Sequence, residues 1–221
     1  MESKISVIVA ALNEERTIKN VINGIKKGFM NRRVEIIVVD NGSRDRTGEI
    51  AESEGAVVVF EPEKGKGFAV LKGIGMAKGN ILALIDADGS YPAEALPALV
   101  APIERDEADV VFGSRFLGKG SSMSFLRFIG NKFLTYIASI TFAHTTDLLT
   151  GMLAAKKDVF SMISLESSGF EVETEFFIKC VKRRLKRTEI PIEYTGRKNS
   201  HLNPLIDGVK ILCLMIKEYL G

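Results

Sequence analysis

Two aspartates one residue apart, Asp86 and Asp88, close an apolar run over residues 81–85 and are followed by Gly89 and Pro92. In an extended segment alternate side chains share a side, so the two carboxylates project together before the chain turns. Paired hard oxygens at the carboxyl end of a buried strand suit Mg²⁺ or Mn²⁺, above all where phosphate oxygens complete the shell. Capping of a turn explains a lone Asp-x-Asp as cheaply. The pair gains meaning from what neighbouring segments bring beside it. Asn13 and Glu14 follow an apolar run over residues 5–11, and Asp40 ends another over 34–39, in Asp40-Asn41-Gly42-Ser43. Lys66 lies in Lys64-Gly65-Lys66-Gly67, and Gly113-Ser114-Arg115 follows a run over 108–112. A lysine at a helix start meets phosphate or carboxylate, and a guanidinium beyond a strand end binds a diphosphate with two parallel hydrogen bonds. The plain alternatives are a helix cap for Asn13, a solvated turn for Lys66 and a surface ion pair for Arg115.

The elements that must position these residues are legible as hydrophobic patterns. Continuous apolar runs at 5–11, 34–39, 81–85 and 108–112 are strands covered on both faces, and 56–60 is a further strand. Helical spacing recurs between them at 17–25, 47–54, 68–78 and 93–104. Strands alternating with helices imply an α/β fold with a mostly parallel central sheet, whose strand ends converge on one edge. After residue 120 the alternation gives way. Residues 123–143 form an apolar-rich helical stripe carrying Arg127, Asn131 and Lys132. Its ordinary destination is a core, although a helix lying in a membrane surface has the same composition. A helix over 170–181 opens with Glu171, Glu173 and Glu175, as the helix dipole favours. Residues 188–194 read as a short edge strand containing Pro191, and 205–220 as a closing apolar helix.

Composition bounds the partners. The 221 residues carry a net charge of +2, too little for a global attraction to nucleic acid, and 46% hydrophobic residues place the chain among globular proteins. Cys180 and Cys213 have no metal or redox spacing and read as reduced core residues of a cytosolic protein; His144 and His201 read as non-ligands. The start shows no signal-peptide pattern, and no apolar run reaches the roughly 18 to 20 residues of a membrane span. The expectation is a cytoplasmic protein, soluble or peripheral at the inner face of a membrane. Gly-x-x-x-x-Gly-Lys-Ser/Thr is absent from the lysine-containing turn, as is Gly-x-Gly-x-x-Gly.

Taken in order, these segments resemble the family 2 glycosyltransferases of the GT-A type, and within them the polyprenyl-phosphate (dolichyl-phosphate) mannosyl- and glucosyltransferase branch. The residues that carry the resemblance are Ser6 through Glu14, Ile36 through Ser43, Lys64-Gly65-Lys66-Gly67 with Ala77-Lys78-Gly79, Asp86-Ala87-Asp88 and Gly113-Ser114-Arg115. Asp147 through Gly151, Glu173-x-Glu175, Glu189-Ile190-Pro191-Ile192 and Arg197 through Ser200 match farther on. The resemblance implies a Rossmann-like three-layer α/β/α GT-A domain, with 1–118 binding the nucleotide sugar and 119–221 forming a helical acceptor side. It implies inverting transfer of a hexose from GDP- or UDP-hexose to a polyprenyl phosphate, dependent on Mg²⁺ or Mn²⁺. Ala11, Asn13, Glu14, Asp40, Lys66, Asp86, Ala87 and Asp88 would then bind the donor, with Asp88 on the metal and Asp86 beside it. Asp86, Asp88, Arg115 and Asp147 would be catalytic, with Arg115 and Lys66 sharing the charge of the departing diphosphate. Arg127, Asp147, Glu173, Arg197 and Ser200 would meet the acceptor. A lipid phosphate is itself the nucleophile, whereas a hydroxyl acceptor needs a base, for which Asp147 is the first candidate and Glu173 the second. The sequence departs from the branch at Ala10, where proline is usual, and at His201, where lysine is usual. Competing readings are a same-fold transferase acting on a soluble hydroxyl, a nucleotide-sugar binding module, and a nucleotidyltransferase, whose usual Gly-rich basic loop residues 10–16 lack. Oligomeric state is left open.

Overall fold

The computed structural model describes residues 4–30, 32–119, 122–196 and 203–220. Its strands are β1 (Ile5–Ala11), β2 (Val34–Asp40), β3 (Val57–Phe60), β4 (Ile81–Asp86), β5 (Val110–Ser114), β6 (Leu153–Lys156) and β7 (Arg187–Pro191). They form one sheet in the order β3-β2-β1-β4-β6-β5-β7. β6 alone among them runs antiparallel to its neighbours, β4 and β5. The others pair in parallel. β1, β2, β4 and β5 are largely buried and rich in valine and isoleucine, as parallel strands covered on both faces should be, whereas β3 and β7, at the two edges, are more exposed.

Helices cover both faces. α1 (Ile18–Gly28), α2 (Thr47–Ser53) and α4 (Leu96–Glu104, entered through a short 3₁₀ turn) bury Ile18, Ile22, Ile25, Ala51, Leu96 and Leu99 against Val7, Val9 and Ile85. On the other face, α3 (Lys66–Met76), α5 (Phe125–Thr141), α6 (Lys157–Met162), α7 (Val172–Lys182) and α8 (Pro204–Leu220) bury a second cluster. That cluster includes Ala69, Val70, Leu134, Val159, Phe176 and Ile211, packed on Ile8, Ile37 and Leu84. The result is three layers, helix on sheet on helix. Register decides where the chemistry lies. Ala11 sits opposite Asp40 and Ala10 opposite Asp86, so three parallel strands deliver their carboxyl ends to one edge.

Four expectations need correction. β6 went unrecognised, because Leu-Ala-Ala-Lys is short, carries no β-branched residue and finds its partners 40 or more residues away. Asn13 is not a helix cap. Helix α1 begins five residues later, and Asn13 takes a left-handed φ of +54° while its Oδ1 accepts from Arg44 N at 2.8 Å. The α5 stripe is not core: Leu134, Thr135 and Ala138 are buried, while Phe125 is 78% and Tyr136 65% exposed. Cys180 is buried as expected, but Cys213 faces outward on α8. Pro191, by contrast, does lie on an edge strand, where its missing N–H costs no ladder bond.

Candidate active site

The carboxyl ends of β1 and β4 and the start of α3 enclose a cavity of about 340 Å³. Ala11, Glu14, Lys66, Asp86, Ala87 and Asp88 all line it, joined by Asn41, Gly65 and Phe170. β4 ends at Asp86, and Asp88 follows in the turn, where its Oδ1 accepts from Ser90 N at 2.9 Å. Asn13 and Asp40 stand behind this wall. Asn13 N donates to Ser43 Oγ at 2.9 Å, Asp40 Oδ1 accepts from Ser43 N at 2.8 Å, and Glu14 N donates to Thr47 Oγ1 at 2.7 Å. These bonds stitch the turn after β1 to the turn after β2 and fix the backbone that edges the cavity. Asn41 pins the next loop. Its Nδ2 donates to Glu61 O and Glu63 O, at 3.1 and 2.6 Å, and its Oδ1 accepts from Gly65 N at 2.8 Å.

Lys66 is the first residue of α3. Its ammonium lies 2.5 Å from Asp86 Oδ1 and also pairs with Glu173 of α7. Burial works against that charge, but the two carboxylates outweigh it and hold the ammonium above the ordinary lysine value. Burial likewise pushes the Asp86 carboxyl up to about 6, opposed by Lys66 and reinforced by Asp88 and Glu173. Glu173 thus stands beside Lys66 and Asp86. Gly65 has φ +145°, and Gly67 N donates to Ser168 O at 2.9 Å, so the loop before α7 rests directly on the α3 N-terminus. A helix N-terminus carrying a lysine favours anions in general; here Gly67 N is engaged by Ser168 O and the ammonium by Asp86 and Glu173.

A second cavity, of about 120 Å³, lies between the end of β5, α5 and α8. Arg115, Arg127, Asn131, Tyr194 and the carboxylate of Asp207 contribute its polar surface, and Leu126, Leu134, Leu149 and Ile211 are among its apolar walls. Arg115 lies here and not among the residues lining the first cavity. Its backbone N, Nε and Nη2 donate to Asp147 at 2.9, 2.7 and 2.7 Å, and neither side chain is more than 6% exposed. Both Asp147 oxygens are thus engaged by one guanidinium. Burial opposes the Arg115 charge, which Tyr91 and Asp147 hold above the ordinary value. The two cavities are joined through packed groups. Gly151 lies against the Asp86 carboxylate and donates its N–H to Tyr91 Oη at 2.8 Å. Tyr91 meets Tyr194 edge-on at 5.1 Å, and Arg115 lies 5.2 Å from the Tyr194 ring centre. Arg197 and Ser200 lie outside the described residues.

Hard-oxygen chemistry fits Asp86 and Asp88, but no group of three or more histidine, cysteine, aspartate or glutamate side chains forms a metal shell among the described residues. A divalent cation here would draw its remaining ligands from diphosphate oxygens and water, as Mg²⁺ and Mn²⁺ do. Sequence reasoning missed Asn41, Phe170 and Tyr91 as parts of the site. Asn41 carried a signal, since an Asp-Asn-Gly turn at a strand end is a place for side-chain-to-backbone bonds. Phe170 and Tyr91 carried none.

Comparison with known proteins gives a match to the family model described as glycosyl transferase family 2 over residues 6–163. The dolichyl-phosphate hexose transferase of Haloferax volcanii is 32% identical, over 94% of this chain and 90% of that protein. The glycosyltransferase AglJ of the same organism is 32% identical, over 92% of this chain and 68% of the relative. Among solved structures, glucosyl-3-phosphoglycerate synthase from Mycobacterium tuberculosis superposes with a TM-score of 0.82 at 24% identity, covering 98% and 80% of the two chains. That structure holds Mn²⁺, UDP and glucosyl-3-phosphoglycerate.

Proposed function

The chain belongs to glycosyl transferase family 2 and has the GT-A fold, and we propose that it moves a hexose from a nucleoside diphosphate sugar, GDP- or UDP-linked, to the phosphate of a polyprenyl (dolichyl) phosphate. One observation carries the acceptor assignment. The second cavity combines two arginines, set against the single carboxylate of Asp207, with apolar walls and lies between helices whose outer faces are themselves apolar. A phosphate on a long hydrocarbon needs that combination. The name of the Haloferax hexose transferase supports the same acceptor class.

In this reading the nucleotide sugar occupies the first cavity, with its diphosphate toward Lys66 and the α3 N-terminus. A divalent cation, Mg²⁺ or Mn²⁺, held by Asp88 would neutralise charge as the leaving diphosphate departs. Asp86 faces the sugar or ribose, positioned by Lys66. Arg115 and Arg127 hold the acceptor phosphate in the second cavity, from which it reaches past Gly151 and Tyr91 to the sugar when both substrates are bound. An oxygen of that phosphate attacks the anomeric carbon, the bond to the nucleoside diphosphate breaks, and the diphosphate leaves with the electron pair. Configuration inverts. The acceptor oxygen is already ionised at neutral pH, so no side chain must remove a proton. Asp147 then serves by holding Arg115.

The apolar outer faces of α5 and α8 give the protein a seat at the membrane where such a lipid resides. α5 has no acidic residue, and Phe125, Tyr136, Leu205 and Leu220 are each at least 65% exposed. No helix among the described residues is long and apolar enough to cross a membrane. The test is transfer of labelled hexose from GDP-mannose and UDP-glucose to dolichyl phosphate, with and without Mn²⁺, in the wild type and Asp88→Ala. Cation-dependent transfer that falls by at least about 100-fold in the variant, with an unchanged melting temperature, is expected. Full activity in Asp88→Ala would remove the assignment.

A further inference from the structure

Glu189 of β7 takes no part in the chemistry above, yet four hydrogen bonds converge on its carboxylate. Oε1 accepts from Thr145 Oγ1 at 2.5 Å and from Thr146 N at 2.9 Å. Oε2 accepts from Thr146 N at 3.0 Å and from Thr146 Oγ1 at 2.6 Å. Thr146 Oγ1 in turn lies 2.6 Å from Ser114 Oγ, at the end of β5. An ionised carboxylate only accepts, so the Thr146 hydroxyl donates to Glu189, and Ser114 must donate to Thr146. The bonds have one direction. Thr145 and Thr146 immediately precede Asp147, whose carboxylate orients Arg115. The same turn is tied to α5, through Leu148 N donating to Thr135 Oγ1 at 3.1 Å and Thr145 N donating to Ser139 Oγ at 3.1 Å.

We infer that Glu189 is a positioning residue for acceptor binding: it locks the Thr145-Thr146-Asp147 turn, and through Asp147 it aims the Arg115 guanidinium into the second cavity. This rests on the assignment of that cavity to a phosphate-bearing acceptor. β5 and β7 are paired, with Glu189 opposite Phe112, so the carboxylate sits on a rigid ladder three residues from Arg115 in register. The turn, by contrast, is irregular backbone between α5 and β6. A guanidinium binds phosphate through planar, directional donors, and small rotations of its carboxylate partner misalign it. The carboxylate's partners are two hydroxyls and one peptide N–H. Its work is therefore geometric, and its effect should fall on the acceptor while sparing the donor.

Glu189→Gln is the direct probe, since an amide nitrogen would face donors where an oxygen now accepts. Thr146→Val, which keeps the carboxylate and removes the hydroxyl link, repeats the test should the first variant fold poorly. Binding of geranyl phosphate, of Mn²⁺–UDP and of Mn²⁺–GDP is measured by calorimetry, alongside amide hydrogen exchange of the whole chain. Geranyl phosphate affinity should fall on the order of ten-fold, with Mn²⁺–nucleotide affinity unchanged. The Thr146 and Arg115 amides should exchange faster, while residues 87–90 should not. Unchanged geranyl phosphate affinity, an equal loss of both ligands, or a loosened Thr146 beside a still-protected Arg115 would each overturn the inference. Absence of geranyl phosphate binding in the wild type, or undiminished binding in Arg115→Gln, would instead remove the acceptor assignment. In that case hydrogen exchange still decides whether Glu189 sets Arg115.

Discussion

Replacing Asp147 by alanine leaves the Arg115 guanidinium in place but strips it of a partner that takes three hydrogen bonds. With Asp147 at 0% and Arg115 at 6% side-chain exposure, water cannot readily substitute. Breaking such a buried pair by removing one member costs about 3–5 kcal/mol, against a total stability of roughly 5–15 kcal/mol for a domain. At about 2–4 °C per kcal/mol for a chain of this size, the melting temperature should drop by roughly 6–20 °C. Asp147→Asn keeps the volume and one acceptor, so its cost should be near half, about 1.5–2.5 kcal/mol. Circular dichroism melts and urea titrations at constant slope read both values directly. A proton-accepting Asp147 predicts something different. Asp147→Asn would then lose about 10²–10⁴ in turnover while barely moving the melt. A near-native melting temperature together with that collapse of turnover would refute the structural role and restore Asp147 as a general base.

Gly67→Ala should weaken nucleotide-sugar binding, because an added Cβ would lie 2.7 Å from the Ser167 carbonyl carbon and 2.8 Å from that of Ser168, both backbone atoms. Unaltered Mn²⁺–nucleotide affinity in titration calorimetry would contradict the close docking of that loop on α3. Cys213 should be alkylated by iodoacetamide in the folded protein at pH 8, while Cys180 stays inert. Burial pushes the Cys180 thiol up to about 12, leaving roughly one thiolate in ten thousand at that pH, and peptide mass mapping separates the two. Glu175, 2% exposed, accepts from Glu166 N, Ser167 N and Lys179, which outweigh burial and hold it below its ordinary 4.5. A depressed folded value stabilises above the unfolded one and is lost as pH falls through it. Glu175→Gln should therefore be less stable by about 1–3 kcal/mol at pH 7, with the gap closing as pH drops below 4.5; a gap independent of pH in urea titrations would contradict it.

Ile5–Ala11, Val34–Asp40 and Ile81–Asp86 announce themselves in the sequence, because a strand buried on both faces must be apolar throughout and must end where polar residues begin. Since parallel strands share a direction, their ends share an edge, and the meeting of Ala11, Asp40, Asp86 and Asp88 follows from pattern alone. Lys66 was equally accessible, as a lysine between two glycines at a helix start. What the pattern does not contain is which partner each charged group chooses. Glu173 and Glu175 stand two apart on α7, so the helix turns them to different sides. Packing of α7 beside α3 sends one to Lys66 and the other to the loop before α7. Arg115 and Asp147 are 32 residues apart, and Glu189 reaches its turn from 43 residues farther along. β6 inserts between β4 and β5 with four residues of weak strand character. Local sequence thus determines the elements and the chemistry at their ends, because periodicity and capping are short-range. The pairing of buried charges is decided by tertiary structure, because desolvation makes each one bind whatever opposite charge or donor the fold brings within reach.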